Sequence, residues 1–253
     1  MRLARISIAA HLLLVVCVVV CGCSPIRNGG RPVALANSLQ EILPHGDRDH
    51  LVYVWRKLDA RQSLGGVQVQ HFTVVRDGEF EVTLSENGVA LGRMRYTDDG
   101  TTLALRYEED LTRGFRLSYD PPLTQLHVPL LAGRTESSSS ATMTRLADGL
   151  TIGTMPVTQV VTFAPGRGVR SRVGNYGRTV VLQMVRTLQS PAHSEELKAE
   201  TILAPGVGEI QSTASTPETT LVRRELACAI IGGQRVGECS DIGKLWEESR
   251  SGR

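Results

Sequence analysis

The sequence predicts a mainly β protein, built as one curved, half-barrel-like antiparallel sheet with one or two short helices. Apolar and polar residues alternate with a period of two in several segments beyond residue 51, which is typical of strands with one buried face. Short turn signals such as Asp-Gly and Asn-Gly separate these segments, and only one stretch shows a helical spacing of any length. The composition, 41% hydrophobic and 21% charged over 253 residues, is that of an ordinary globular protein.

Residues 1–22 are predicted to be an export signal. Arg2 and Arg5 supply its positive start, and the apolar stretch that follows carries no charge. The stretch ends in Val20-Cys21-Gly22-Cys23, which resembles the lipobox of bacterial lipoproteins. This resemblance implies that Cys23 receives a diacylglyceryl group, becomes the mature N-terminus after cleavage, and is acylated on its new amine, for instance with palmitate.

The lipobox resemblance also implies an address. Two or more acyl chains give stable membrane anchoring, because each buried CH₂ contributes about 0.8 kcal/mol. Ser24 is similar to the residue found after the cysteine in lipoproteins sent on to the outer membrane, so we expect the periplasmic face of that membrane where the cell has one. Two alternatives stay open: an uncleaved membrane helix, since residues 6–26 carry no charge and are long enough to cross a bilayer, and a soluble secreted form.

Residues 23–50 are predicted to form a lipid-anchored tether that contains one short helix. Prolines and glycines between positions 25 and 32 discourage regular structure. Leu35, Leu39 and Ile42 then fall on one face at helical spacing, and Pro44 is expected to end the helix. The helix either covers an open sheet or simply packs into the core.

Residues 51–239 are predicted to be a single antiparallel β domain. Its first half holds strand candidates at 51–55, 80–84, 103–107 and 115–119. Asp77-Gly78, Asn87-Gly88, Asp99-Gly100 and Arg113-Gly114 mark turns at intervals of 10, 12 and 14 residues. Such spacing indicates a meander whose strands lengthen along the chain.

The second half of the domain follows Pro121-Pro122. Its strand candidates are 135–146, 157–163, 179–188, 197–203 and 220–231. The segment 179–188 is apolar at consecutive positions, which indicates a central strand covered on both faces. Two copies of Ala-Pro-Gly, at 164–166 and 204–206, each follow a strand and are predicted to be hairpin turns.

Two short motifs of this half resemble those of envelope β-proteins of the DUF3108 and TapB-like kind. One is the hairpin sequence Ala-Pro-Gly-Val-Gly-Glu-Ile at 204–210, and the other is Val-Pro-Leu-Leu-Ala-Gly at 128–133. A tryptophan usual soon after the second motif is absent, since Thr135 and Glu136 stand there. The resemblance implies a curved antiparallel sheet like that of the lipoprotein carriers LolA and LolB, an envelope location, and no catalytic residue.

Cys228 and Cys239 are the two cysteines beyond the signal and its acylation site. Outside the cytoplasm such a pair favours a disulfide, worth roughly 3 kcal/mol for a loop of this size. Cys228 shares strand parity with Leu226, which predicts that it points inward. The alternative is a buried free thiol and a separate thiol in the tail.

Other clusters of polar side chains suggest no chemistry. The segment 45–50 offers His and Asp residues, but its place in a linker favours a solvated loop over a metal site. Glu79 and Glu81 alternate onto a polar strand face, and the acidic run 108–110 precedes a turn, so solvated charge is predicted for both sets. No Ser-His-Asp arrangement is evident, so neither a catalytic set nor a metal or other cofactor is predicted.

One local concentration of basic residues stands out at Arg167, Arg170 and Arg172. It either meets an anionic surface, such as lipid headgroups or polysaccharide, or simply fills exposed strand positions. Residues 240–253 are predicted to be a C-terminal tail that docks on the sheet or frays.

The charge balance limits the partners. The net charge is +2, and removing Arg2 and Arg5 with the signal leaves a neutral chain, which argues against nucleic acid. The sequence therefore favours a non-catalytic envelope lipoprotein that binds or carries an apolar ligand. A structural or interaction lipoprotein that scaffolds envelope partners is the alternative, and an enzyme is not expected.

Overall fold

The computed structural model describes residues 33–43, 46–57, 65–190, 193–216 and 219–237. Several predicted features lie outside the described residues. They are the signal, the acylation site Cys23 with the tether up to residue 32, Cys239 and the tail 240–253. Within the described part of the chain, no helix is long and apolar enough to span a membrane.

The described residues form one short helix and fifteen strands. The helix is α1 (Leu39–Ile42). The strands are β1 (His50–Lys57), β2 (Gly65–Arg76), β3 (Glu79–Glu86), β4 (Val89–Asp98), β5 (Thr102–Asp110), β6 (Phe115–His127), β7 (Gly133–Arg145), β8 (Thr151–Gly166), β9 (Val169–Ser171), β10 (Gly174–Tyr176), β11 (Thr179–Ser190), β12 (His193–Ala204), β13 (Gly208–Thr216), β14 (Thr219–Ile231) and β15 (Gln234–Gly237).

Twelve of these strands close into an antiparallel barrel. β1 pairs with β2 along one edge and with β14 along the other, so that Val54 lies opposite both Val67 and Glu225. The predicted mainly β class is confirmed. The observed sheet is more closed than the predicted half-barrel-like sheet, because β1 has a hydrogen-bonded neighbour on each side. β15 extends the wall beside the end of β14, and β9 and β10 form a separate two-stranded hairpin.

The predicted turns of the first half are confirmed. Gly78, Gly88, Gly100 and Gly114 all have positive φ and connect successive strands from β2 to β6. Glycine suits these positions because it adopts the left-handed region without steric cost. The barrel end that carries the β2–β3, β4–β5 and β12–β13 turns is called the lower end below.

The two Ala-Pro-Gly copies have different structures. The second is a hairpin turn, as predicted, with Gly206 at a φ of +76° between β12 and β13. The first was predicted to be a turn, but it stays in β8, where Gly166 pairs with Thr179 of β11. The chain instead reverses through the β9–β10 hairpin, because residues 167–178 supply a longer connection.

The prediction that segment 179–188 is covered on both faces is wrong. In β11 the even positions Val180, Met184 and Arg186 are buried, whereas the odd positions Val181 and Val185 are only partly covered. A barrel wall has one inner face and one outer face, so a run of apolar residues does not require two covered faces here.

Residues 33–43 cover the lower end of the barrel. Ser38 caps α1 by accepting a hydrogen bond from the Glu41 N–H, and Leu39 and Ile42 are buried in the main core. The backbone carbonyl of Glu41 accepts a 2.7 Å hydrogen bond from the N–H of Gly206. The predicted short helix is therefore present as a single turn that closes one end of the barrel.

Candidate ligand-binding cavity

The barrel interior contains a partly open cavity of about 180 Å³ beside the helix. Leu43, directly after α1, contributes to its lining at the lower end. Most of the lining is apolar and comes from the inner faces of β2 to β6, β8, β11 and β12: Phe72, Phe80, Val82, Met94, Tyr96, Leu103, Leu126, Val161, Leu182, Met184 and Leu203. A largely apolar hollow with a few polar groups is the usual form of a small-molecule site.

A polar arc lies on one side of the cavity. It consists of Gln70 on β2, Thr201 on β12, Glu209 on β13 and Arg224 on β14. Gln70 is 8% exposed and Thr201 is 5% exposed. Within the described part of the chain, neither of these two side chains has a hydrogen-bond partner, although buried polar groups are normally paired.

Arg224 is held in a bidentate ion pair. Its Nε and Nη2 donate to the two carboxylate oxygens of Glu209, each at 2.6 Å, and Nε also lies 3.0 Å from Ser212 Oγ. The guanidinium carbon lies 4.6 Å from the ring centre of Tyr53. Such a paired arginine contributes no net charge to the cavity wall.

A second buried arginine lies inside the barrel on β11. Arg186 is 1% exposed and contacts both carboxylate oxygens of Glu108 at 3.2 Å. Its Nε donates to Gln159 Oε1 at 2.9 Å, and its Nη1 lies 3.3 Å from the Tyr119 hydroxyl. Its Nη2 is buried without a hydrogen-bond partner. The barrel interior therefore holds two neutral ion pairs within a mainly apolar core.

The interior phenols are kept neutral. Burial raises the pKa of Tyr53 and Tyr119, and the carboxylates of Glu209 and Glu108 respectively add to these two rises. Burial likewise raises the pKa of Tyr96, which borders the cavity. All three tyrosines are therefore protonated at neutral pH and can donate hydrogen bonds inside the barrel.

Sequence reasoning missed this polar arc and both buried arginines. The signal that could have revealed Arg186 is strand parity, because it shares the inner face of β11 with Leu182 and Met184. For Gln70 the corresponding signal is its parity with Phe72. The pairing of Arg224 with Glu209 joins two strands around a turn and could not be read from alternation alone.

The prediction of solvated charge is wrong for Glu79. Glu79 is 5% exposed on the outer face and accepts hydrogen bonds from Arg95 at 2.6 Å, from Arg106 at 2.7 Å and from Arg76 at 2.8 Å. These contacts, led by Arg95 and Arg76, lower the pKa of Glu79 from 4.5 to about 2. The neighbouring Glu81 accepts a 3.0 Å hydrogen bond from the Tyr107 hydroxyl.

The run 108–110 is also mostly buried rather than solvated. Glu108 points into the barrel toward Arg186, whereas Glu109 points outward and pairs with Arg116 at 2.5 Å. Asp110 accepts hydrogen bonds from the backbone N–H groups of Thr112 and Arg113. Each carboxylate therefore has a local structural partner, which the sequence pattern alone does not reveal.

The predicted surface arginines lie together at the lower end of the barrel. Arg167, Arg170 and Arg172 are exposed in the connection that contains β9 and β10, and the backbone N–H of Arg172 donates to Glu225 Oε1 at 3.3 Å. Val169 of the same hairpin packs against the core. Their role toward an anionic surface stays a prediction.

Cys228 faces the opposite way from the prediction. The β1–β14 ladder contains a bulge, so Val52 lies opposite Cys228 whereas the next residue, Tyr53, lies opposite Leu226. Although Cys228 and Leu226 are two positions apart, they therefore lie on different faces of the wall. Cys228 is fully buried with Val52 in a small cluster separate from the main core. It is disulfide-bonded, and its pairing with Cys239, which lies outside the described residues, stays a prediction.

The segment 45–50 is not a solvated loop throughout. Asp49 is buried, and its two carboxylate oxygens accept hydrogen bonds from the N–H groups of Gly232 at 2.7 Å and Gly46 at 2.9 Å. His45 lies outside the described residues. Among the described residues, no three His, Cys, Asp or Glu side chains are grouped so that they could hold a metal ion.

Comparisons with known proteins place the chain in no family. No protein-family model matches it, so the resemblance to DUF3108 and TapB-like proteins is not confirmed, and no curated protein matches its sequence. Two crystal structures are similar in shape. A protein of Bacteroides fragilis NCTC 9343, inferred to be exported and described as having a YmcC-like fold, is 12% identical, with a TM-score of 0.46 over 73% of this chain and 96% of that one.

The second structure is an inferred lipoprotein of Parabacteroides distasonis ATCC 8503. It is 8% identical, with a TM-score of 0.49 over 73% of this chain and 95% of that one. Both descriptions agree with the exported lipoprotein predicted from the present sequence. At these identities and TM-scores, however, neither likeness carries an argument about this chain.

Proposed function

We propose that this chain is an envelope lipoprotein anchored through Cys23, and that its barrel is a non-catalytic module that binds or carries an apolar ligand. The observation that carries the binding proposal is the partly open cavity of about 180 Å³, lined mainly by apolar side chains. An apolar ligand that enters the cavity gains van der Waals contacts with these side chains and removes its own apolar surface from water. The anchoring proposal depends on the lipobox resemblance at residues 20–23.

The position of the N-terminal segment supports a link between anchor and cavity. The chain reaches the barrel through residues 33–43, and these cover the lower end of the cavity. The exposed arginines of the β9–β10 connection lie at the same end. An anchored molecule would therefore hold the covered end of its cavity and a basic patch near the membrane.

A scaffold that recruits envelope partners is the second candidate. The outer face of β3 to β6 favours it, because five arginines surround the two acidic residues Glu79 and Glu109 there. Several of these arginines are about half exposed, so they could also meet an acidic partner. Crosslinking followed by recovery of one stoichiometric protein, with no small molecule bound in the barrel, would favour this function.

The anchoring proposal is tested by the mass and location of the protein. The full chain expressed in its host should be recovered from the membrane fraction with the mass of a triacylated form beginning at Cys23. Cys23→Ala should remain uncleaved and unacylated. A wild-type chain of full length without acyl groups would contradict the proposal.

The binding proposal is tested by filling the cavity. Val161 lines it, whereas its neighbour Val160 faces the other side of the wall. We expect native mass spectrometry of wild type to show a bound small molecule that is lost in Val161→Phe and retained in the matched control Val160→Phe. A molecule retained equally by both variants, or an empty wild-type barrel, would count against a carrier.

A further inference from the structure

We infer that the cavity selects an uncharged ligand with a single ring or short chain and a head group that both donates and accepts hydrogen bonds, such as an amide or a hydroxyl. This inference rests on the proposed function and specifies the ligand class of the same site. Three properties of the cavity carry it: the unpartnered polar side chains, the neutral charge of the wall, and the volume.

The head group is indicated by Gln70 and Thr201. Both side chains are more than nine-tenths buried, both line the cavity, and neither has a hydrogen-bond partner in the described part of the chain. Their polar atoms face the accessible space of the cavity, so a ligand that displaces water from it must replace the hydrogen bonds that water can make with them. Each group can donate and accept, so a ligand that does both satisfies them together.

Another uncharged polar side chain of the cavity, Gln125, differs from Gln70 and Thr201 because its amide N–H already has a partner. Its Nε2 donates to the backbone carbonyl of Leu123 at 2.9 Å. The unsatisfied capacity is therefore concentrated on the arc between β2 and β12, which also contains the Arg224–Glu209 pair. The opposite wall, from β3 to β8, presents Val82, Leu126 and Val161.

Because the polar arc carries no net charge, it favours a ligand whose head group is uncharged. Arg224 and Glu209 bind one another through two hydrogen bonds of 2.6 Å, so neither is available to neutralise a charged head group. A carboxylate or ammonium brought into this apolar hollow would lose its hydration without gaining a counterion. A neutral head group avoids that cost.

The volume limits the apolar body. An apolar hollow of about 150 Å³ is large enough for benzene. The cavity of about 180 Å³ therefore accommodates one ring or a short chain with a small head group, whereas a diacyl lipid exceeds it.

A matched series of ring compounds tests the inference directly. Benzamide, benzyl alcohol, ethylbenzene, benzoate and benzylamine are similar in size and differ in the head group. Their binding to the full-length protein can be measured by saturation-transfer NMR and isothermal titration calorimetry at pH 7. We expect benzamide and benzyl alcohol to bind about tenfold more tightly than ethylbenzene, and benzoate and benzylammonium to bind more weakly than ethylbenzene.

Two nearly isosteric variants locate the preference. Gln70→Leu and Thr201→Val should each reduce the advantage of benzamide over ethylbenzene by about threefold or more while leaving ethylbenzene binding intact. Thr73→Val, at an exposed position of β2, is the matched control and should leave the whole series unchanged. The comparison of ligands on wild type requires no variant, so a folding defect in either substitution does not prevent the test.

The outcomes separate the two proposals. Equal affinity for benzamide and ethylbenzene, or strongest binding of benzoate or benzylammonium, would overturn the inferred ligand class while the binding function stands. Failure of every compound to bind at millimolar concentration would overturn the proposed cavity function itself. Retention of the benzamide advantage in both Gln70→Leu and Thr201→Val would overturn the assignment of these residues.

Discussion

At the residue scale, Arg186 is the side chain whose environment most constrains the interior. A guanidinium this deeply buried is tolerated because Glu108, Gln159 and Tyr119 all face it. The three partners come from different strands, β5, β8 and β6. Arg186 therefore ties together parts of the wall that are far apart in the sequence.

Removing this charge should destabilise the fold strongly. We expect Arg186→Met to lower the free energy of unfolding by about 3–5 kcal/mol, because it leaves the Glu108 carboxylate unpaired inside the barrel. The measurement is urea denaturation followed by circular dichroism. In the double variant Arg186→Met, Glu108→Gln, most of that loss should be recovered.

Arg145→Met provides the control for this prediction. Arg145 pairs with Asp148 at 3.1 Å, but both side chains are half exposed, so we expect less than about 0.5 kcal/mol. A similar small loss for Arg186→Met would show that the buried pair does not stabilise the barrel.

At the element scale, strand alternation predicted much of the wall. Residues such as Val82 and Leu103 occupy the inner face that their parity indicates. Alternation fails where a ladder contains a bulge, as between Val52 and Tyr53, because the extra residue changes which face the partner strand presents. It also gives no warning that a charged residue such as Glu79 on the polar face is covered by arginines from neighbouring strands.

The cluster around Glu79 joins β2, β3, β4 and β5, and it should make their association depend on pH. Since the folded-state pKa of Glu79 is lowered from 4.5 to about 2, its contribution is full above pH 5 and is lost as the pH falls toward 2. Glu79→Gln should cost about 1 kcal/mol at pH 7, a modest value because Arg76 is largely exposed and Arg106 is about half exposed.

The pH dependence distinguishes this cluster from a merely steric role. In urea denaturation, the stability difference between wild type and Glu79→Gln should shrink between about pH 4.5 and pH 2. Glu136→Gln is the control, because its pair with Arg134 is 3.4 Å long and more than half exposed on both sides. A Glu79→Gln difference that is constant over this range would contradict the role of the carboxylate charge.

At the scale of the whole molecule, closure is the property that the sequence did not predict. Local turns such as Asp77-Gly78 determine which consecutive strands pair, and these were predictable from turn chemistry. The β1–β14 ladder joins His50 to Ile230, and nothing in either segment alone specifies that contact. The cavity follows from closure, since its polar arc runs from β12 through β14 to β2 across that same junction.

Closure should be visible in hydrogen exchange. Because β1 is bonded on both sides, we expect the amides of residues 51–54 to exchange as slowly as those of residues 157–161 in β8. Exchange followed by mass spectrometry of short peptic fragments measures both segments in one experiment. Rapid exchange confined to β1 and β14 would indicate an open edge instead.

The way in which residues 33–43 are attached to the lower end of the barrel affects how the molecule responds to force. Any tension that arrives along the chain from the N-terminal side reaches residues 33–43 before it reaches a strand of the wall. That segment is joined to the barrel by backbone hydrogen bonds to Leu130 and Gly206 and by the buried side chains of Leu39 and Ile42, whereas β7 and β8 share a ladder over a dozen residues. We therefore expect that, under load, residues 33–43 separate from the barrel before the β7–β8 ladder does, which would expose the end of the cavity that Leu43 lines.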